Sequence, residues 1–302
     1  MAETRRGFLL GAAAYAMWGL FPLYWTLLKP AGAVEILAHR VFWSLAVMAA
    51  LVVALRRAAR FKKILTTPRT RMFLTLAAVV IAVNWGAYIW GVNNGHVVET
   101  SLGYFINPLV TVLMGVVILG ERLRRLQWVA MGIATVAVIG LAIEYGRPPW
   151  VALALAFSFG TYGLAKKKAN AGAVESLALE TLLLAPIALG YLMFLGSQGT
   201  SSFGNTGSGH AVLLVSTGII TAIPLICFGA AATRVSMTTL GLLQYLAPTI
   251  QFVLGVLVFH EPMPTLRLFG FVLVWISLAM FTFELVTHRR RQFQLTAEAA
   301  AI

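Results

Sequence analysis

Long apolar runs, separated by short polar or basic stretches, set the pattern of this chain. A helix crossing a bilayer needs about 20 mostly apolar residues. Runs of that kind cover 7–28, 34–55, 72–93, 98–119, 126–144, 149–165, 174–196, 211–233, 237–259 and 266–286. The pattern predicts an all-α membrane protein with ten transmembrane helices and little chain outside the bilayer. The fourth run has a distinctive design. Residues 99–121 read ETSLGYFINPLVTVLMGVVILGE, with a Pro inside, a Gly seven residues later and a Glu at the end. Residues 239–261, TLGLLQYLAPTIQFVLGVLVFHE, repeat it. Pro108, Gly115 and Glu121 recur as Pro248, Gly255 and Glu261, each 140 residues on (248 − 108, for instance). Residues 34–38 (VEILA) match 174–178 (VESLA) at the same offset, and Gly19 aligns with Gly160 at 141. Gly91 pairs with Gly229 and 100–103 with 238–241 at 138, and two residues inserted before Tyr245 restore 140.

Each copy therefore holds five helices. Five is odd, so the second copy enters the membrane with opposite polarity. Such inverted-topology repeats build many secondary transporters, because two inverted halves give related conformations open to opposite sides. The division expected is a first repeat over 1–145 (helices 1–5), a second over 146–287 (helices 6–10) and a basic tail over 288–302.

Composition supports this class. Of the 302 residues 60% are hydrophobic and 11% charged, against about 25% charged in soluble domains. The net charge of +13 does not point to nucleic acid, because the basic residues cluster between apolar runs, as topogenic charges do. With the N-terminus inside, the inner side receives Arg5 and Arg6, the 56–71 cluster, Arg122, Arg124 and Arg125, Lys166–Lys168, Arg234 and Arg289–Arg291. The outer side receives only Lys29, Arg147 and Arg267. Both termini are expected in the cytoplasm. Thr4–Leu9 resembles a twin-arginine signal and Ala31–Ala33 a cleavage site, yet the run 7–28 exceeds the roughly 7–15 residues of a signal h-region. It reads as the first helix. The outer loop 197–210 is Gly/Ser-rich, uncharged and expected to be flexible.

The single cysteine, Cys227, allows neither an intrachain disulfide nor a Cys-based metal site. No metal site, cofactor or catalytic residue is expected. The chain has no Asp and no HExxH, GxSxG or phosphate-loop motif, so an enzyme is disfavoured and direct ATP drive is not expected. The alternatives to a transporter are an intramembrane enzyme and a non-transporting receptor or structural protein.

Polar groups inside a membrane must find partners or water. Asn84, Asn93 and Asn107 lie among Trp85, Tyr88, Trp90, Tyr104 and Phe105 on spans three and four or between them. Asn84 and Tyr88 share a helix face at i,i+4, as do Tyr104 and Pro108. These residues suit a cavity for a small amphipathic organic solute; interhelical hydrogen bonding and interface anchoring are the competing readings. Gln244 and Tyr245 occupy the comparable zone of span nine. Pro108 and Pro248 are expected as flexible points, Pro108 freeing backbone acceptors near Asn107. The ionisable candidates for coupling or gating are Glu35, His39, Arg40 and Glu180. Glu35 and His39 are i,i+4; Arg40 aligns with Glu180 at 140. Proton coupling and simple pairing or snorkelling near the outer surface both remain open for Glu35–Arg40.

These motifs resemble the EamA family of the drug/metabolite transporter superfamily. The Pro-x6-Gly-x5-Glu endings of helices four and nine are similar to its repeat signature. More narrowly, 18–25 (WGLFPLYW), 35–40 (EILAHR), Asn84-Trp85, Tyr88–Trp90, Val92-Asn93 and 101–108 (SLGYFINP) resemble the RarD, or chloramphenicol-sensitivity, subgroup. The resemblance implies a ten-helix basket whose central cavity is lined mainly by helices one, three, four, six, eight and nine, which adds Trp18 to the cavity candidates. It implies a multi-pass transporter of the bacterial cytoplasmic (inner) membrane. The partners expected are a small-molecule substrate and the lipid bilayer, with no nucleic acid; no substrate, direction, coupling ion or oligomeric state follows.

Overall fold

The computed structural model describes residues 2–119, 123–232, 234 and 243–300. Eleven helices occur among them: α1 (Ala2–Leu27), α2 (Ala33–Ala54), α3 (Ala58–Thr66), α4 (Pro68–Asn93), α5 (Val97–Leu119), α6 (Arg125–Glu144), α7 (Trp150–Ala169), α8 (Ala173–Ser197), α9 (Ser208–Ala232), α10 (Leu246–Leu257) and α11 (Thr265–Ala300). In hydrocarbon a helix satisfies its own backbone groups, which is why apolar runs of this length fold so. The predicted spans other than the ninth each fall on a helix, and the ninth does so, among its described residues, over Leu246–Leu257. Eight of them, among the described residues, are long and apolar enough to cross a membrane. Their outward faces stay apolar: Val53, Val117, Ile143 and Ile187 are more than 70% exposed. On a soluble protein such patches would drive association; against lipid acyl chains they carry no penalty. The chain is a multi-pass membrane protein.

Three features depart from expectation. The basic connection 56–71 contains α3, which buries Ile64 among Leu74, Ala169 and Leu179. It is too short and too charged to register as an apolar run. On span nine the backbone turns at Gln244 and Tyr245 before α10 begins. Pro248 therefore sits in the first turn of α10, where a missing N–H has no intrahelical acceptor to lose, and does not interrupt a helix. Pro108, by contrast, lies inside α5. Glu121 and residues 238–241 lie outside the described residues.

The packing crosses between the two parts of the chain. α4 and α5 lie on α7, α1 lies on α9 and α10, α2 on α8, α5 on α10 and α6 on α11. Two close approaches fix this arrangement. A Cβ on Gly218 of α9 would stand 2.5 Å from the Trp43 carbonyl of α2, and one on Gly103 of α5 would stand 2.8 Å from the Ala152 carbonyl of α7. Small residues at these crossings let backbones touch, the usual driver of helix association in lipid.

Ion pairs reinforce the crossings reciprocally. Glu144 at the end of α6 accepts from Arg267 of α11 at 2.9 and 3.0 Å. Glu284 of α11 pairs with Arg124 at the start of α6. Glu175, opening α8, pairs with Arg57 at 3.3 Å. Its counterpart Glu35, opening α2, accepts from the Ser202 N–H at 2.6 Å and its hydroxyl at 2.9 Å. The loop expected to be flexible is thus tied to α2.

Candidate functional site

Asn84, one turn from Tyr88 on α4, is 1% exposed and has its hydrogen-bonding groups engaged. Its amide donates to the Leu155 carbonyl and the Ser158 hydroxyl of α7, both at 3.0 Å. Its oxygen accepts from the Tyr104 hydroxyl of α5 at 3.3 Å. So Asn84 ties three helices together. Tyr88 packs edge-on against Tyr104 at 5.7 Å, and its buried hydroxyl has no partner. The half-buried Asn93 and Asn107 each bury a side-chain oxygen that likewise has none. Unpaired buried oxygens are costly and rare.

The structure brings Arg40 to this cluster. It is 4% exposed. Its Nε–H donates to Thr221 Oγ1 of α9 at 3.1 Å. The guanidinium lies 3.9 Å from the Trp85 ring centre, 5.0 Å from Trp25 and 5.9 Å from Phe21. Beside it, the Tyr24 hydroxyl of α1 donates to the Leu213 carbonyl and lies 2.9 Å from the Ser216 hydroxyl of α9. The α1 side of this aromatic cage was not legible in the sequence, where Phe21, Tyr24 and Trp25 stand out only as part of the 18–25 motif. Thr221 was missed altogether, one hydroxyl in an apolar run.

Trp18 stands farther along α1, its ring against Tyr15 and Phe228 and its carbonyl accepting from Gln251 at 3.1 Å. Tyr104 and Tyr245 do not meet. Tyr245 packs against the α5–α6–α11 core and pairs with the Thr282 and Gln244 side chains. Tyr104 packs with Tyr88 on a different face of α5 from Phe105, which lies in that core. Adjacent residues point about 100° apart on a helix, so one helix serves both clusters. Gln244 accordingly stays with Tyr245 and not with the Asn84 group.

Glu35 and His39 share a face but no bond. Glu35 serves the 201–202 backbone and hydroxyls. His39 stacks on Phe203 at 5.1 Å, with both ring nitrogens unpartnered. It lines a cavity of about 350 Å³ with Trp43, Phe203 and Asn205. Glu180 is wholly buried and neutralised locally: Lys166 Nζ lies at 2.7 Å and the Tyr162 hydroxyl at 3.1 Å. Lys166 belongs to the cluster read as topogenic charge, so its inward role was hidden.

Glu261 follows α10 and accepts from the backbone N–H groups of Val97 and Val98, the open start of α5. Gly255 allows this approach: a Cβ there would meet Val98 at 2.7 Å. The second Pro-Gly-Glu motif thus closes the helix that carries the first. Burial pushes the Glu261 carboxyl up, and the two N–H bonds pull it back only in part.

Comparison with known proteins matches residues 5–143 and again 148–283 to the EamA-like transporter family. Protein RarD of Streptomyces exfoliatus is 60% identical over 99% of this chain and 96% of its own. The uncharacterized transporter YojE of Bacillus subtilis is 44% identical over 96% and 97%. The chloramphenicol-sensitive protein RarD of Pseudomonas aeruginosa is 30% identical over 97% and 98%. A protein of known crystal structure superposes with a TM-score of 0.57 at 20% identity, over 92% of this chain and 96% of its own, a likeness of fold alone.

Proposed function

This chain belongs to the EamA-like transporter family, and on that premise we propose that it is a secondary active transporter. It moves a small organic metabolite or drug across the bacterial cytoplasmic membrane by alternating access. Ten helices cross the bilayer as two inverted five-helix repeats, with both termini inside. The observation that carries this reading is the reciprocal packing. α4 on α7 corresponds to α1 on α9, α5 on α7 to α1 on α10, and Glu144–Arg267 to Glu284–Arg124. Glu35 and Glu175, and Glu144 and Glu284, each stand 140 apart (175 − 35; 284 − 144). Two inverted halves that interlock this way exchange roles when the molecule rocks about a shared site.

The site is the Asn84–Tyr88–Tyr104 group with Arg40, where α1, α2, α4, α5, α7 and α9 converge. Trp18, Asn93 and Asn107 extend it; Gln244 and Tyr245 support α5 from its other face. Glu261 fastens one entrance by capping α5. The test is counterflow in liposomes holding the purified protein, across amino acids, nucleosides, sugars and amphenicols, the last because one relative is named for chloramphenicol sensitivity. Accumulation of at least one solute, lost in Tyr104→Ala and Asn107→Ala proteins that still insert and fold, is expected. Wild-type rates in both variants would remove the site; no counterflow by the wild type would remove the transporter reading.

A further inference from the structure

Among the described residues, Arg40 is a buried cation without a counter-charge. Removing a guanidinium from water is expensive unless it is paired. Aromatic faces offset part of that cost, and Trp85, Trp25 and Phe21 supply them. The fork has five N–H donors, and Thr221 takes one of them. The carboxylates whose side chains are described are engaged elsewhere. Glu35 holds Ser201 and Ser202, Glu99 holds Arg147, Glu144 holds Arg267, and Glu175 holds Arg57. Glu180 holds Lys166, Glu261 caps α5, and Glu284 holds Arg124.

The contrast with Glu180 sharpens this. Arg40 and Glu180 stand 140 apart (180 − 40) and each is seven residues into its helix (40 − 33; 180 − 173). Glu180 has its own base in Lys166. Arg40 has no acid among the described residues, and the neighbouring Tyr88 hydroxyl is also unpartnered. A buried charge left open on one half of a matched pair, inside an aromatic cage at the convergence of α1, α2, α4 and α9, is a receptor for a charge that comes and goes.

We propose that Arg40 is the anion receptor of the transport site and that the solute is a small organic carboxylate with an apolar body. The inference rests on the transporter reading for the word solute, but not for the binding. The carboxylate takes the free end of the guanidinium fork in the geometry Arg favours. Tyr88 donates to it, and the aromatic walls take the apolar part.

The experiment uses the full chain in nanodiscs, with benzoate and 3-phenylpropionate against benzamide and 3-phenylpropionamide as probes. Fluorescence of the cage tryptophans and the melting temperature are read. Both carboxylates are expected to shift both signals at millimolar concentration, and the amides are not. Arg40→Gln should weaken carboxylate binding by about tenfold or more, the scale of lost charge-assisted bonds. Arg40→Lys, which keeps the charge but not the fork, should recover part of it. Should Arg40→Gln fail to fold, Tyr88→Phe keeps Arg40 in place and should weaken the carboxylates alone. Amides binding as well as carboxylates, or no response to either carboxylate, would overturn the proposal. Counterflow separates the two readings. Transport of uncharged solutes unaffected by Arg40→Gln sinks the anion receptor and leaves the transporter. Selective carboxylate binding without counterflow does the reverse.

Discussion

Asn84 and Asn107 look alike in the sequence and do different work in the fold. Asn84 spends its amide and its oxygen on α7 and α5, whereas Asn107 keeps an oxygen unpaired. Asn84→Ala leaves the Tyr104 hydroxyl without its acceptor and takes one donor from the Leu155 carbonyl, which keeps Ser158. It should lower the unfolding free energy by about 1–2 kcal/mol, measured by denaturant titration in mixed micelles. Asn107→Ala should change it by less than about 0.5 kcal/mol while removing transport. If the two variants lose equal stability, Asn107 is a packing residue. Glu261 gives a pH prediction. Its carboxyl sits above the ordinary glutamate range because burial outweighs the Val97 and Val98 amides. The folded chain therefore holds that proton more tightly than the unfolded chain. Its contribution is fully present below the ordinary range and is lost as pH rises through the raised value. Melting curves of wild type and Glu261→Gln from acid to neutral pH should move against the wild type as pH rises. Parallel curves would mean that the cap, not the proton, dominates.

At the scale of elements, the crossings are set by backbone contact. Gly218 of α9 meets the Trp43 carbonyl and Gly103 of α5 meets the Ala152 carbonyl, neither of which can turn aside as a side chain would. Gly218→Ala should cost about 1–3 kcal/mol by overpacking. Gly163→Ala on α7, with nothing within 4 Å, should be neutral or stabilising by up to about 1 kcal/mol through helix propensity. Thermal unfolding in the same detergent compares them. Equal effects would show that α2 and α9 separate easily. The Pro-Gly-Glu motif also belongs at this scale: Gly255 admits the start of α5, and Glu261 then caps it.

Across the whole molecule, α6 and α11 form an antiparallel pair sealed at both ends by Arg124–Glu284 and Arg267–Glu144. The second pair is largely buried, and both of its bonds are near 3 Å. Charge reversal at either Glu144 or Arg267 should destabilise the protein. Reversing both should recover most of the loss, with a coupling of about 1–3 kcal/mol in a double-mutant cycle. Additive losses would mean that the pair is incidental to the packing. Because α6 and α11 also bracket the Phe105–Phe271 core, this pair anchors one side of α5 while Tyr104 packs with Tyr88 on the other.

Most helix positions and the family were legible in the chain itself, the first from the length of apolar runs and the second from short motifs. Apolar length dictates a span in lipid, and a recurring Pro-Gly-Glu spacing survives as plain text. The sequence also singled out Asn84, Tyr88, Tyr104 and Arg40, since polar groups stand out against an apolar background. It did not reveal their partners. Whether a buried charge is neutralised depends on residues brought from other helices, and no spacing rule reports them. Lys166 looked like a topogenic charge and turned inward to Glu180. Arg40 looked like a residue near the surface and lies in a cage built from α1 and α4. Tyr104 and Tyr245 occupy comparable zones of spans four and nine, yet their side chains go to different clusters. Tertiary structure alone decided which of two charges 140 residues apart is satisfied at home and which has no counter-charge among the described residues.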